Sequence, residues 1–417
     1  MMRSILTGYE ARGDRTMRAS EVLQKCLSDA LNTMHALRSR VLLHAVEATI
    51  EGRRLTLMDL ARSWPGAERV RAPLKALDRL LGNRHLHTER MHLYAAMTRW
   101  LVRSKHPVIV IDWSDLKRDR SWHVLRAAIP VGGRTLPILD MVFPGGKQGS
   151  PKAEKQFLKR LADILPTEAC PILVTDAGFR TPWFQAVEAM GWRWLGRLRN
   201  TTYLKPSDVP DKPCQWVSCK AMYELATSSA RDFGLMDVVR SAPLTARVVL
   251  HAKPPKGRKH CNQQGVPARN SYSRQHAQRE REPWWLMASP QIKLAAHQLV
   301  TLYARRMQIE LSFRDLKSHR YGQAFEDSLT RKGERIEILL LLSALAGFTT
   351  WLVGMACEAQ GIDRWLTPFR STRRLYSVMR LGREALVRRW LGVPLGKLIQ
   401  YLRKPSPSLL DQLGLPA

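Results

Sequence analysis

Two short apolar runs in the first half of the chain each end in an aspartate. Residues 107–112 are Pro-Val-Ile-Val-Ile-Asp, and residues 171–176 are Pro-Ile-Leu-Val-Thr-Asp. Both runs are too short and too rich in β-branched residues for helices, so they predict buried strands. Asp112 and Asp176 are therefore predicted to lie at strand ends.

The pattern around these runs predicts an α/β fold. Strands are predicted over residues 107–113, 122–129, 135–143 and 192–199, and helices over residues 152–165 and 181–190. Three consecutive strands followed by alternating helix and strand indicate a mixed sheet with helices packed on it. In that order Asp112 and Asp176 end neighbouring strands, so their carboxylates come together.

A third acid, Glu310, belongs to a helical pattern that begins near Tyr303. Residues seven apart advance almost two full turns of an α-helix, so Tyr303, Glu310 and Lys317 are predicted to share one face. Arg306 and Arg314 flank that face. The helix therefore places a carboxylate among cations.

The three acids suit metal-assisted phosphodiester chemistry. Carboxylate oxygens are hard ligands for Mg²⁺, which takes the rest of its shell from water and substrate phosphate. Sites of this kind usually hold two ions about 3.5–4 Å apart. We therefore predict that Asp112, Asp176 and Glu310 hold two Mg²⁺ ions, for which Mn²⁺ substitutes. Arg306 and Lys317 would bind the phosphates on either side of the scissile one.

Each acid also has a structural interpretation. A strand that ends in aspartate is a common turn signal, and Arg306 with Glu310 forms the usual surface ion pair of a helix. Asp115, three residues after Asp112, is the second candidate for the metal ligand on this strand. Its other interpretation is a residue that only caps or orients. The combination of three acids with the spaced tyrosine, arginine and lysine favours the catalytic interpretation.

This combination resembles the DDE transposases of the insertion-sequence-four family. The spacing Tyr-x2-Arg-x3-Glu-x6-Lys, which begins at Tyr303, matches that family's YREK signature. The sequences Asp112-Trp-Ser-Asp-Leu and Asp176-Ala-Gly-Phe are similar to its two aspartate motifs. Residues 80–87 and 282–284 also resemble the family, and the resemblance runs from about residue 55 to about residue 355.

The resemblance implies a fold and an activity. The fold would be a ribonuclease-H-like catalytic core interrupted by a β-rich insertion, with helical N-terminal and C-terminal domains. The activity would be cut-and-paste transposition, through strand cleavage, hairpin formation and strand transfer. The family also assigns Trp284 to stacking on a base extruded during hairpin formation. Packing in the core is the alternative for Trp284 and for Trp285.

The chain divides into five predicted segments. Too many residues separate Asp176 from Glu310 for one connection, so a subdomain is inserted there. The segments are a helical DNA-binding domain (1–105), two parts of the ribonuclease-H-like core (106–200 and 284–360), the β-rich insertion (201–283) and a helical, basic C-terminal region (361–417). The resemblance implies that this last region helps to pair two subunits.

Charge favours DNA as the partner. The chain has 67 Lys and Arg against 36 Asp and Glu, a net charge of +31, and phosphate neutralisation dominates non-specific DNA affinity. Charge alone also fits an RNA-binding protein.

Residues 56–63 and 69–81 suit a helix-turn-helix that reads a major groove, with a solvated helix pair as the alternative. Residues 253–281 suit a basic loop that either contacts DNA or is disordered.

Cysteine usage and the lack of an evident secretory signal predict a cytoplasmic protein, and the resemblance implies a bacterial protein at the nucleoid. A zinc site is the weak alternative for four scattered ligands, Cys214, Cys219, His260 and Cys261. Residues 338–357 carry no charge and are long enough to cross a bilayer. The resemblance places them in a buried core helix instead, so no membrane association is predicted. The resemblance also implies DNA, and no small molecule, as the substrate.

The leading hypothesis is a transposase that acts, as a homodimer in the DNA complex, on terminal inverted repeats and target DNA. A metal-dependent nuclease of the same fold would need the three acids but not the array of Tyr303, Arg306 and Lys317. A catalytically inactive DNA-binding protein would be expected to have lost at least one acid, and this chain has all three.

Overall fold

Six helices precede the sheet. The computed structural model of the protein describes residues 18–208, 215–253, 266, 282–320, 322–366 and 375–389. The six helices are α1 (Ala19–Cys26), α2 (Ser28–Asn32), α3 (Ala36–Gly52), α4 (Leu57–Arg62), α5 (Arg71–Leu81) and α6 (Arg84–Leu101). Side-chain caps explain two of the starts, because Thr56 accepts from the amide of Asp59 and Asn83 accepts from the amide of Leu86.

Helices α4 and α5 form the two-helix element that the sequence predicts. The apolar side of α5 is buried, through Leu77, Leu80 and Leu81. Its basic side is exposed and carries Arg71, Lys75 and Arg79. Arg69, just before the helix, is also exposed. Docking of this side into a DNA groove stays a prediction.

Ten strands form one sheet in the described residues. They are β1 (Val108–Asp115), β2 (Trp122–Pro130), β3 (Thr135–Pro144), β4 (Ile172–Thr175), β5 (Arg193–Arg197), β6 (Tyr203–Pro206), β7 (Val217–Ser218), β8 (Arg231–Val238), β9 (Leu244–His251) and β10 (Trp284–Ala288). The order across the sheet is β3-β2-β1-β4-β5-β10-β9-β8-β6-β7. Strand β4 is parallel to β1 and β5, and the other pairs are antiparallel.

The first five strands confirm the predicted order of elements. Helices α7 (Pro151–Ile164) and α8 (Thr181–Ala189) make the connections from β3 to β4 and from β4 to β5, as parallel strands require. Buried Val, Ile and Leu residues fill β1 and β4. An antiparallel trio followed by two parallel strands is consistent with a ribonuclease-H-like core.

Strands β6 to β9 continue this sheet, because β10 pairs with β5 on one side and with β9 on the other. The segment between the second aspartate and Glu310 is thus rich in strands. Its separation as an inserted subdomain, like the other segment boundaries, stays a prediction. The basic loop falls almost wholly outside the described residues, as do Cys214, His260 and Cys261 of the zinc alternative.

The later α-helices in the described residues are α9 (Ala296–Ala304), α10 (Met307–Lys317), α11 (Gly333–Ala359) and α12 (Val378–Val387). Helix α11 contains the uncharged stretch and is long and apolar enough to span a membrane, but 89% of its most apolar window is buried inside the protein. Helix α12 packs closely on it, since a Cβ on Gly382 would lie 1.8 Å from the carbonyl oxygen of Thr350. Helix α11 is therefore a core helix, as predicted.

Candidate active site

Asp112 and Asp176 lie at the same edge of two parallel neighbours. Ile111 of β1 pairs with Thr175, the last residue of β4, so an aspartate follows directly in both segments. Asp176 follows the end of β4 as predicted, but β1 continues past Asp112 to Asp115, so the prediction that Asp112 ends its strand is wrong. Asp176 begins a turn in which its Oδ1 accepts from the backbone amide of Gly178 at 2.8 Å. A Cβ on Gly178 would lie 2.9 Å from that same oxygen, so glycine keeps the turn and its carboxylate in place.

The helix that carries Glu310 is shorter than the sequence pattern predicts. Arg305 and Arg306 form a turn between α9 and α10, in which the amide of Arg306 donates to the carbonyl of Tyr303 at 3.0 Å. Such i to i−3 bonds are typical of 3₁₀ geometry and tighten the chain. The prediction of one continuous helix is therefore wrong, although Tyr303 remains near the site, with its ring centre 6.0 Å from the guanidinium carbon of Arg306.

Arg306 lies between two of the acids. Its Nη1 is 3.5 Å from Oδ2 of Asp112, and its Nη2 contacts Oε1 of Glu310. Burial lowers the pKa of Arg306, but Tyr303, Asp112 and Glu310 together raise that pKa above its usual value. Arg306 therefore stays charged and balances the acids.

The carboxylates share one electrostatic environment. Burial, and then the charge of Asp176, raise the pKa of Asp112 to about 8, although Arg306 acts to lower it. A buried carboxylate beside two others needs a cation to stay ionised. The oxygen donors match the preference of Mg²⁺. Within the residues that the structure describes, however, no three acid, histidine or cysteine side chains are close enough to share a metal ion, so ligation stays a prediction.

Lys317 lies over the end of β1. Its ammonium donates to Oγ of Ser114 at 2.9 Å. Burial lowers the pKa of Lys317, with Asp115 acting to raise it. Asp115 itself is 2.9 Å from Nδ1 of His123 on the facing strand. Asp115 thus lies beside His123 and Arg120, and both its role and that of Asp112 as the ligand stay predictions.

Trp284 and Trp285 occupy opposite faces of β10. The Trp284 ring is 5.1 Å from that of Tyr303, and the ammonium of Lys253 lies 4.8 Å from its centre. Trp284 is only 7% exposed, so the exposed ring that base stacking assumes is absent from this conformation. Trp285 is buried on the other face, where its Nε1 donates to the carbonyl of Cys219.

The sequence reasoning missed Arg126, which lies directly opposite Asp112 on β2. Arg126 donates to both carboxylate oxygens of Asp140, at 2.7 and 2.8 Å, and both side chains are buried. Its guanidinium carbon is 4.8 Å from the ring centre of Phe313 on α10. The sequence signal that could have identified Arg126 is a charged residue in a predicted strand that is mostly apolar. Such a residue is expected to be buried beside a partner of opposite charge.

The sheet order is consistent with a ribonuclease-H-like core, and Arg306 connects Asp112 on β1 with Glu310 on α10. A family model described as the transposase DDE domain matches residues 103–347. The match covers more than half of the 417 residues, and the chain belongs to this family of DDE transposases. It is therefore a metal-dependent enzyme that cleaves DNA and transfers strands. No curated protein matches the chain.

Proposed function

We propose that this DDE transposase moves its own element by cut-and-paste transposition. Within the DDE transposases we place it in the insertion-sequence-four family, near the transposase of transposon ten, because the YREK spacing is complete from Tyr303 to Lys317. The observation that carries the proposal is the contact of Arg306 with both Asp112 and Glu310. That contact joins the strand-end motif and the helix signature in one site.

Asp112, Asp176 and Glu310 would hold two Mg²⁺ ions, with Mn²⁺ as a substitute. When bound, such ions activate the attacking oxygen and stabilise the leaving oxygen of an in-line displacement. The chain's own contribution is to fix the carboxylates, through the β1 and β4 ends and the turn at Gly178. Arg306 balances the acids before the ions arrive and then turns to phosphate.

Five side chains would position DNA, namely Trp284, Tyr303, Arg306, Arg314 and Lys317. Arg306 forms a planar fork that suits phosphate oxygens, and Lys317 supplies a point charge above β1. Arg314, about one helical turn after Glu310 and before Lys317, adds a further cation on the same helix. Trp284 would stack on an extruded base after Lys253 leaves its ring, while Tyr303 supports it from the side.

The reaction would proceed as a series of displacements at one site. Water cleaves one strand, and the released 3′-hydroxyl attacks the opposite strand to form a hairpin. Water reopens the hairpin, and the free 3′ ends then attack target DNA. Each step replaces one phosphodiester oxygen by another, so the same three carboxylates can serve all of them.

DNA specificity would come from outside this site. The exposed basic side of α5 suits recognition of the terminal inverted repeats. Residues 361–417 would pair two subunits into a homodimer on DNA, and the protein would work at the bacterial nucleoid. The five segments 1–105, 106–200, 201–283, 284–360 and 361–417 are the proposed units of this arrangement.

A gel assay with the DNA that flanks the protein's own gene tests the proposal. We expect specific retention of the end duplex, then nicked, hairpin and joined products on addition of Mg²⁺. A simple nuclease would cut without joining, and an inactive DNA-binding protein would retain the duplex without cutting. Cleavage of unrelated duplexes at the same rate as the end duplex would contradict end recognition.

A further inference from the structure

Glu384 on α12 is surrounded by arginines. Arg380 and Arg388 approach its carboxylate to 2.9 and 3.0 Å, and Arg53 and Arg383 approach to 3.9 Å. One carboxylate cannot balance four guanidinium groups at these distances. The junction between the end of α3, which Arg53 follows, and α12 therefore carries an excess of positive charge.

Three of these arginines line a cavity of about 770 Å³ that extends to α10. Arg53, Arg380 and Arg383 line it together with Arg134, Arg314 and Arg126, the last of which is paired with Asp140. Asp315, which pairs with Arg134, is the only acid among the described residues that line the cavity. The cavity is therefore a strongly basic space beside the catalytic helix.

The protein satisfies these arginines incompletely. Arg383 donates to the backbone carbonyls of Ile50 and Glu51, at 2.8 Å each. Burial, and then the charge of Arg53, lower the pKa of Arg383 to about 10. Arg314 is exposed and has no hydrogen-bonding partner in the described part of the chain. An anion in the cavity would relieve the repulsion among these guanidinium groups and accept hydrogen bonds from them.

We propose that this cavity binds a DNA phosphodiester backbone as a contact separate from the three carboxylates. The inference rests on the proposed function and deepens it, because it gives the DNA a path beyond the cleavage site. Arg314 lies four residues, about 6 Å along the helix, beyond Glu310. A strand that leaves the carboxylates along α10 would therefore reach Arg314 and enter the cavity. The strand belongs either to the DNA that flanks the element or to the target duplex.

A pair of matched variants of the full-length chain tests the proposal. Arg380→Gln and Arg388→Gln each remove one charge and one ion pair with Glu384 from the same helix, at side chains 50% and 59% exposed. Only Arg380 lines the cavity. Binding of a duplex of unrelated sequence is measured over a range of salt concentrations, because backbone contacts carry no sequence information.

We expect Arg380→Gln to make the slope of log K against log salt shallower by about 1, as for one lost phosphate contact. Arg388→Gln should keep the wild-type slope, and Arg53→Gln, at another residue that lines the cavity, should reproduce the effect of Arg380→Gln. The same slope for Arg380→Gln and Arg388→Gln would overturn the proposal and leave the cluster as a joint between α3 and α12. This readout is independent of end recognition, so it also stands if the proposed function fails.

Three DNA substrates distinguish the two sources of the strand. One is an end duplex that stops at the cleavage position, the second is the same end with its flank, and the third is a target duplex offered to a pre-cleaved end complex. A defect of Arg380→Gln confined to the second substrate identifies the flank, and one confined to the third identifies the target. A photo-crosslinking residue at Tyr376, which lines the cavity, should label the same DNA, and one at Val387 should not. Equal labelling from both positions would count against the cavity.

Discussion

The Nη1 atom of Arg306 lies 3.5 Å from Oδ2 of Asp112, while the other terminal nitrogen of that guanidinium contacts Glu310. One buried cation thus holds together a carboxylate of strand β1 and a carboxylate of helix α10. A planar, permanently charged fork suits this task. We expect the contact with Glu310 to open when divalent ions and DNA enter, because both would then compete for the same groups.

Loss of any one acid should abolish catalysis without abolishing DNA binding. Asp112→Asn, Asp176→Asn and Glu310→Gln each remove a proposed metal ligand but leave the basic surface intact. Nicking and strand transfer should fall by several orders of magnitude, while gel retention of the end duplex stays close to wild type. Asp115→Asn is the matched control, since Asp115 is engaged by His123. A variant that still cuts at the wild-type rate would show that its residue is wrongly assigned.

The two cations should affect DNA positioning more than metal binding. Arg306→Ala and Lys317→Ala are expected to slow cleavage and weaken the complex, because phosphate loses a charged donor. Arg305→Ala removes the same charge from the adjacent position and serves as the control. Calorimetry should detect Mn²⁺ binding in all three variants. Lost Mn²⁺ binding in the Arg306 or Lys317 variant would contradict this division of roles.

The raised pKa of Asp112 predicts that the folding stability of the metal-free protein, measured with a metal chelator present, depends on pH. Burial and the charge of Asp176 raise this pKa from its ordinary value of about 4 to about 8, so the folded state binds the proton more tightly than the unfolded state. The resulting stabilisation is full below about pH 4 and is lost as the pH rises through about 8. Asp112→Asn should therefore gain melting temperature over wild type as the pH rises from 5 to 9.

Thermal melts in chelator and in Mg²⁺ check this prediction. Added Mg²⁺ should raise the melting temperature of the wild type more at high pH than at low pH, because the ion must displace the proton from Asp112. The Asn variant should respond little at either pH. An equal difference between the two proteins at pH 5 and pH 9 would mean that Asp112 titrates normally.

The catalytic edge of the sheet could be predicted because its strands are local signals. Continuous β-branched runs mark β1 and β4, and the parallel neighbour relation then brings Asp112 and Asp176 together. The extension of the sheet through β10 could not be predicted. It depends on pairing between β10 and β9 across a long stretch of sequence, and no local periodicity encodes such a partner.

The break between α9 and α10 was missed for a different reason. Arg305 and Arg306 have good helix propensity, so the sequence favours an uninterrupted helix there. At the turn, Arg306 contacts Asp112 on β1, a tertiary interaction that local propensity does not describe. The role of Arg126 likewise depends on its contacts with Asp140 and Phe313, which belong to two other elements. Local propensity describes elements, and the contacts between them decide their details.

The buried pair of Arg126 and Asp140 should be important for stability. Arg126→Met leaves an uncompensated carboxylate next to the catalytic strand, and we expect a loss of ~3–5 kcal/mol in the free energy of unfolding. Arg126→Met with Asp140→Leu removes both charges and should recover most of that loss. Urea unfolding of the two proteins measures the difference. A double variant that is as unstable as the single variant would show that packing on Phe313, and not charge, is responsible.

Trp284 provides the most specific prediction about mechanism. If its ring stacks on an extruded base, Trp284→Ala should permit the first nick but impair hairpin formation, because only the second attack needs the base out of the helix. The ring is covered by Lys253 before DNA binds. Lys253→Ala should therefore leave hairpin formation intact or faster, since it uncovers the stacking surface.

The control is the neighbouring tryptophan, which points to the other face of β10. Trp285→Ala would empty a buried site at a cost of ~3–5 kcal/mol, so Trp285→Phe is the better choice, because it keeps a ring against Phe233 and removes the bond to Cys219. Hairpin yield is measured on a pre-nicked end duplex, which bypasses the first step. Normal hairpins from Trp284→Ala, or a defect found in Trp285→Phe alone, would exclude base stacking by Trp284 and leave its ring as packing for Tyr303.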